Sequence, residues 1–304
     1  MKKRKRRMLS LFMMLLLSVM SLTGVTYAWF TQGEKASINQ FQMDVESVSG
    51  LQISMDAVHW YNEITNFTYN GELTPVSTIG EIDATTKNCK FFKGTFANGY
   101  LRNITTAVES TTNSTKGYFA VTLYFKNTGS SAINVTLSDG DTFATTVLSS
   151  EYDDDAATYS SLATRVGFQK RGEVFDGTAT NGITALASNK GDATAIKIYE
   201  PNATTHIQEA LNAGVASNNV KASYYGVKAT GNGPYNLSNV ATLTDTFGSV
   251  TTYSDPGETM FTIVGDSIAC VTIYIWLEGQ DCDCTNFVSG KDLYVNLKFN
   301  REEQ

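Results

Sequence analysis

The sequence is short of the residues on which most enzyme chemistry depends. Its 304 residues include two histidines, His59 and His206, four cysteines and four prolines, and only 17% of them are charged. A Ser-His-Asp or Cys-His centre needs a histidine to carry the proton. His59 precedes Trp60 at the end of a strand pattern and His206 follows "YEPNATT", and neither setting is that of a catalytic base. There is no Walker loop, no G-x-S-x-G and no H-E-x-x-H. No catalytic residue and no cofactor is therefore assigned. The low charge excludes a charge-rich disordered chain. No Pro-rich or charged linker divides the sequence. Thr, Ser, Asn and Gly instead accompany 11% aromatics, a mixture that suits strands and turns.

The N-terminus carries a long hydrophobic run. Lys2 to Arg7, "KKRKRR", is basic, and Met8 to about Val25 is apolar. In "GVTYAWFT", Thr26 and Ala28 are the small residues at −3 and −1 of a cut before Trp29. Basic region, apolar region and small-residue site make a secretory signal peptide, so residues 1–28 are expected to form a signal helix read by a signal peptidase. The alternative is a retained membrane helix, since the run is close to the ~17–20 residues that a span requires. Ser10, Ser18, Ser21, Thr23 and Gly24 interrupt it. Membrane contact is expected only through this segment if it stays uncleaved. Cleavage removes six positive charges and no negative ones, which moves the formal charge from −7 to −13. An acidic exported chain is a poor partner for nucleic acid or anionic lipid. The expected location is extracellular or on the cell surface.

Export permits disulfides, and Cys89, Cys270, Cys282 and Cys284 are the candidates. Four cysteines allow three complete pairings, and sequence does not choose among them. Cys282 and Cys284 are too close in sequence to bond each other without strain. The acidic clusters are Asp153, Asp154 and Asp155, then Asp139 with Asp141, then Glu278 with Asp281 and Asp283. They lack EF-hand or RTX spacing, so no metal is assigned, and Asp153 to Asp155 are only weak calcium candidates.

Alternation predicts the fold. Phe41, Met43 and Val45, then Leu51, Ile53 and Met55, alternate with polar residues around a turn at Ser49-Gly50. "GYFAVTLYFKNTGSSAINVTL" (117–137) predicts a hairpin about Asn127-Thr128-Gly129, with positive φ in its tight turn. Further strands are expected at 164–169, 194–199, 258–264, 266–279 and 291–299, with one short helix at 206–214. Residues 171–193 and 212–257 are expected to be long surface loops. The class predicted is all-β: an antiparallel jelly-roll-like β-sandwich with long loop insertions. A mature N-terminal segment at 29–41 precedes one domain at 42–300, with insertions at about 78–116 and 171–257.

The cleavage region "GVTYAWFT" resembles that of the TasA/camelysin family, secreted Firmicutes proteins handled by the signal peptidase SipW. "YFKNTGSSAINVTL", "RVGF", "IYEPNATTH" and "DSIACVTIYIWLEGQDCDC" resemble further patterns of such proteins. The resemblance covers roughly residues 1–45, 117–138 and 258–299. It implies a secreted jelly roll and, for TasA-like members, a biofilm-matrix fibre in which a freed N-terminal segment adds as a strand to the next subunit. The donor residues implied are Trp29, Phe30, Ile38 and Phe41, and the partner implied is a second copy of the chain. The alternative is that this segment folds back as the first strand of its own domain. The four cysteines and long insertions depart from the family pattern. The camelysin branch also implies a metallopeptidase, for which the two histidines offer no zinc-binding helix. A monomeric binding module or adhesin using the loops at 171–193 and 212–257 is the other class of function.

Overall fold

The computed structural model describes residues 36–45, 50–67, 71–78, 80–97, 100–109, 115–138, 143–146, 163–176, 195–200, 252–253, 255–279, 284 and 291–304. The signal segment with Thr26, Ala28, Trp29 and Phe30 lies outside them. So do Asp153, Asp154, Asp155, Cys282, His206 and the helix expected at 206–214.

Among the described residues the chain is mostly strand, with almost no helix. In chain order the strands are β1 (Ala36–Val45), β2 (Leu51–Ser54), β3 (Glu63–Phe67), β4 (Gly71–Leu73), β5 (Phe92–Ala97) and β6 (Tyr100–Thr106). Then come β7 (Thr115–Lys116), β8 (Tyr118–Asn127), β9 (Ile133–Leu137), β10 (Phe143–Thr146) and β11 (Thr164–Phe175). The last five are β12 (Lys197–Tyr199), β13 (Thr252–Tyr253), β14 (Phe261–Ile263), β15 (Ser267–Leu277) and β16 (Lys291–Glu303).

Among the described residues two large sheets form, beside a two-stranded one of β5 and β6. The first runs β14-β9-β16-β1-β4-β7, with β10 also on β16 and β3 also on β1. The second runs β13-β12-β11-β15-β8-β2. One apolar core lies between them. Met43, Val45, Leu293, Val295, Leu297 and Phe299 come from the first sheet, and Leu123, Phe125, Val166, Phe168, Val271 and Ile273 from the second. Phe125 meets Phe261 and Phe299 edge-on, with centroids 4.9 and 5.0 Å apart, and Phe168 meets Phe299 at 6.0 Å.

The sheets are mixed, not purely antiparallel. β1 runs parallel to β16, from Ala36 opposite Lys291 to Val45 opposite Phe299. β4 with β7 and β12 with β13 are also parallel. Alternation shows which face of a strand is buried and says nothing about its direction. β1 is a central strand, because its other edge pairs with β4 and β3. Ile38 and Phe41, expected as donor positions for another subunit, therefore belong to a strand paired within this chain. The first sheet begins at Ala36 and takes in part of the segment set apart at 29–41.

The hairpin expected at 117–137 is not formed. β8 lies in the second sheet and β9 in the first, so the connection arches from one layer to the other. Thr128 and Gly129 have no positive φ. Strand alternation about a polar loop is the same for a hairpin and for an arch, since both place their apolar faces on the core. The link from β14 to β15 is a second arch, and the two stack. The Asn127 amide donates to the carbonyls of Ser131 (2.8 Å) and Val264 (3.1 Å), and the Asp266 N–H donates to Gly129 O (2.8 Å). A Cβ on Gly265 would strike the Ser130 carbonyl, so this contact needs glycine. The turn signal at Gly50 holds, with φ +69°. Met55 is 46% exposed, outside the alternation that buries Leu51 and Ile53.

Candidate binding cleft

β15 is buried along its whole length. Ala269, Val271, Ile273, Ile275 and Leu277 face the main core. Cys270, Tyr274 and Trp276 face the opposite way, toward an outer layer. That layer has two parts. Val76 to Ala107, with the β5-β6 hairpin, packs Val76, Cys89, Phe91 and Ala107 on Tyr274 and Trp276. Phe91 stacks on Tyr118 at 4.2 Å and meets Trp276 edge-on at 5.1 Å. Of the stretch expected as an insertion at 78–116, the described residues up to Ala107 are thus a cover for the second sheet, and β7 joins the first. A second cover, around Ala57 and Trp60, packs on Tyr124, Ile268 and Cys270.

Between these covers lies a cleft of about 320 Å³, floored by β8, β15 and β11. Thr122 and Thr272 form a cross-strand pair on this floor, with hydroxyls 3.1 Å apart. Asn88, Glu109, Tyr118, Arg171 and Cys270 also line it.

Arg171 reaches this face through a β-bulge. The register of β11 on β15 shifts between Lys170, opposite Val271, and Gly172, opposite Cys270. Arg171 is the extra residue, and a bulge re-aims a side chain in this way. Its guanidinium donates to Asn88 Oδ1 (2.8 Å), Gln169 Oε1 (3.3 Å) and Thr86 O (3.3 Å). Gln169 Nε2 donates to Lys87 O (2.9 Å), Tyr274 Oη donates to Gln169 Oε1 (2.8 Å), and the Cys89 N–H donates to Tyr274 Oη (3.2 Å). This network fastens residues 86–89 to the sheet. Tyr274→Phe leaves the buried Cys89 N–H without its acceptor. The variant is expected to be about 1–3 kcal/mol less stable in urea unfolding, and an unchanged midpoint would contradict the role given to this hydroxyl.

The strand pattern over 164–169 continues in the structure to Phe175, so 171–175 are not loop. Alternation breaks at the bulge, and this hides Arg171 from a period-2 reading. Gly172 inside a strand-like run is the signal that finds it.

The three described cysteines serve as core residues. Cys89 and Cys270 are free thiols buried in different apolar clusters, so the disulfide that export permits is formed at neither. Cys284 is buried in the main core. Burial pushes the Cys89 thiol up to about 12, and burial pushes Cys270 up to about 11 against the opposing charge of Arg171. Neither thiol is expected to react with iodoacetamide in the native protein at pH 8, and both should react in urea. Native labelling at the unfolded rate would contradict the burial. In the unfolded chain a cysteine titrates near its ordinary value of 9.0. Above that pH the unfolded state releases protons that the folded state keeps, so stability is expected to fall as pH rises from about 9 toward 11.

His59 is a surface residue. Its Nδ1 lies 2.7 Å from Asp56 Oδ2, and its side chain is 67% exposed. Asp56 also accepts the N–H groups of Val58 (2.9 Å) and His59 (2.8 Å). Its carboxyl is held well below the usual range, first by the His59 side chain and then by those N–H groups. Glu278 is buried and accepts a hydrogen bond from Trp276 Nε1 (3.1 Å). Among the described residues no three His, Cys, Asp or Glu side chains gather as a metal site. Comparison with protein-family models, curated proteins and solved structures finds no match for this chain.

Proposed function

We propose that this chain is an exported, non-enzymatic structural protein of the cell surface or extracellular matrix that assembles with copies of itself. Its two-layered fold is read as a jelly-roll-like sandwich of the TasA/camelysin kind, with the signal segment at 1–28 removed by a signal peptidase. The observation that carries the assembly is the place of β1. It is the first described strand after the cleavage region, and it stands between β16 and β3/β4 at the centre of a sheet. A sheet without its central strand exposes two unpaired edges, so this place is always filled. In a single chain its own β1 fills it. In an assembly the N-terminal segment of the next copy fills it, and head-to-tail exchange of this kind gives filaments.

The test is negative-stain electron microscopy of the chain 29–304 beside a chain that begins at Ala36. Filaments from the longer chain alone place the contact in Trp29 to Lys35, and filaments from both place it in β1. Single particles from both would contradict the assembly. The cleft on the second sheet favours a second reading, a monomeric binding module. The loops first given that role, 171–193 and 212–257, fall largely outside the described residues, and residues 171–175 are strand.

A further inference from the structure

The cleft contains a buried positive charge that is hydrogen-bonded but has no opposite charge beside it among the described residues. Arg171 is 5% exposed, and its guanidinium meets three neutral oxygens. No carboxylate among the described residues lies within ion-pair distance of it. Removing a positive charge from water is unfavourable unless a negative charge answers it. Arg165, the other arginine buried among the described residues, has such an answer in Glu200 at 2.7 Å. Arg171 lines an open cleft, so the answering charge is one that a ligand can bring.

The rest of the lining narrows the ligand. Thr122, Thr272 and Tyr118 present hydroxyls, and Asn88 presents an amide. Glu109 lines the same cleft beside Tyr118, beyond ion-pair distance of Arg171. Its negative charge opposes a dianion and accepts hydrogen bonds from hydroxyl groups. The volume of about 320 Å³ suits one ring-sized ligand.

We propose that this cleft binds a hydroxylated monocarboxylate of the uronic-acid class, with its carboxylate on Arg171 and its hydroxyls on the threonine floor and Glu109. The site rests on the cleft alone and stands whether or not the chain forms filaments.

The test is isothermal titration of the chain 29–304 with sodium galacturonate, galactose and inorganic phosphate. Saturable binding of galacturonate is expected, at least about tenfold tighter than galactose or phosphate. Arg171→Gln is expected to weaken it by about tenfold or more. Because Arg171 also fastens residues 86–88, a second variant separates binding from folding. Thr122→Phe fills the cleft from an exposed position and is expected to abolish binding while the protein keeps a single cooperative urea transition. The proposal is overturned by absence of saturable binding, by equal affinity for galactose, by tighter binding of phosphate, or by full binding in folded Thr122→Phe.

Discussion

Replacing Phe299 by alanine is expected to lower the stability by about 3–5 kcal/mol. Phe299 is fully buried in β16, where it lies opposite Val45 of β1 and Leu137 of β9. Its ring also crosses the core to Phe125 and Phe168 of the other sheet. One truncation therefore opens a cavity where three strands of one sheet meet two of the other, and close-packed neighbours refill such a space only in part. Val58→Ala, at a side chain 67% exposed, is the control and should change stability by less than about 0.5 kcal/mol. Urea unfolding of both variants checks the pair. A loss below about 1 kcal/mol for Phe299→Ala would mean that the two sheets do not meet at this residue.

Glu200→Gln is expected to destabilise the protein by about 3–5 kcal/mol through a different cause. Arg165 and Glu200 are each 1% exposed, and Arg165 Nη2 lies 2.7 Å from Glu200 Oε1. Removing the carboxylate charge takes from the buried Arg165 guanidinium the oppositely charged partner it has at 2.7 Å. Replacing both, by Arg165→Met with Glu200→Leu, removes both desolvation penalties together. The double variant should recover most of the loss and lie within about 1 kcal/mol of the parent. Thermal and urea unfolding of the three proteins reads this. Additive losses in the double variant would show that the two charges act independently.

Much of the fold is legible in the alternation of single strands. Both faces of β15 can be read from Ala269 to Leu277, because its odd positions enter the main core and its even positions face the outer covers and the cleft between them. β16 is legible in the same way from Leu293, Val295, Leu297 and Phe299. What alternation does not carry is pairing. β8 and β9 look like a hairpin and lie in opposite sheets, because an arch and a hairpin demand the same period-2 pattern. The parallel contact of β1 with β16 joins residues some 250 positions apart, and no local signal reports it. The candidate cleft was less legible still. It depends on Arg171, which a bulge removes from the period, and on a cover at 76–107 whose sequence reads as an insertion. Cys89 and Cys270 suggest disulfides through the compartment to which the N-terminus points, yet their surroundings make them core side chains.

β1 occupies the middle of the first sheet, beside β16. Met43 and Leu297 are direct partners in that pairing, and both are fully buried. Cysteines placed at both positions, Met43→Cys with Leu297→Cys, report which chain supplies the strand. After mild oxidation of the monomer, the bond is expected within one chain, with no change of size on a non-reducing gel. In filaments the same pair is expected to link neighbouring chains and give a ladder. A folded monomer whose two introduced thiols stay free under oxidation would contradict the placement of β1.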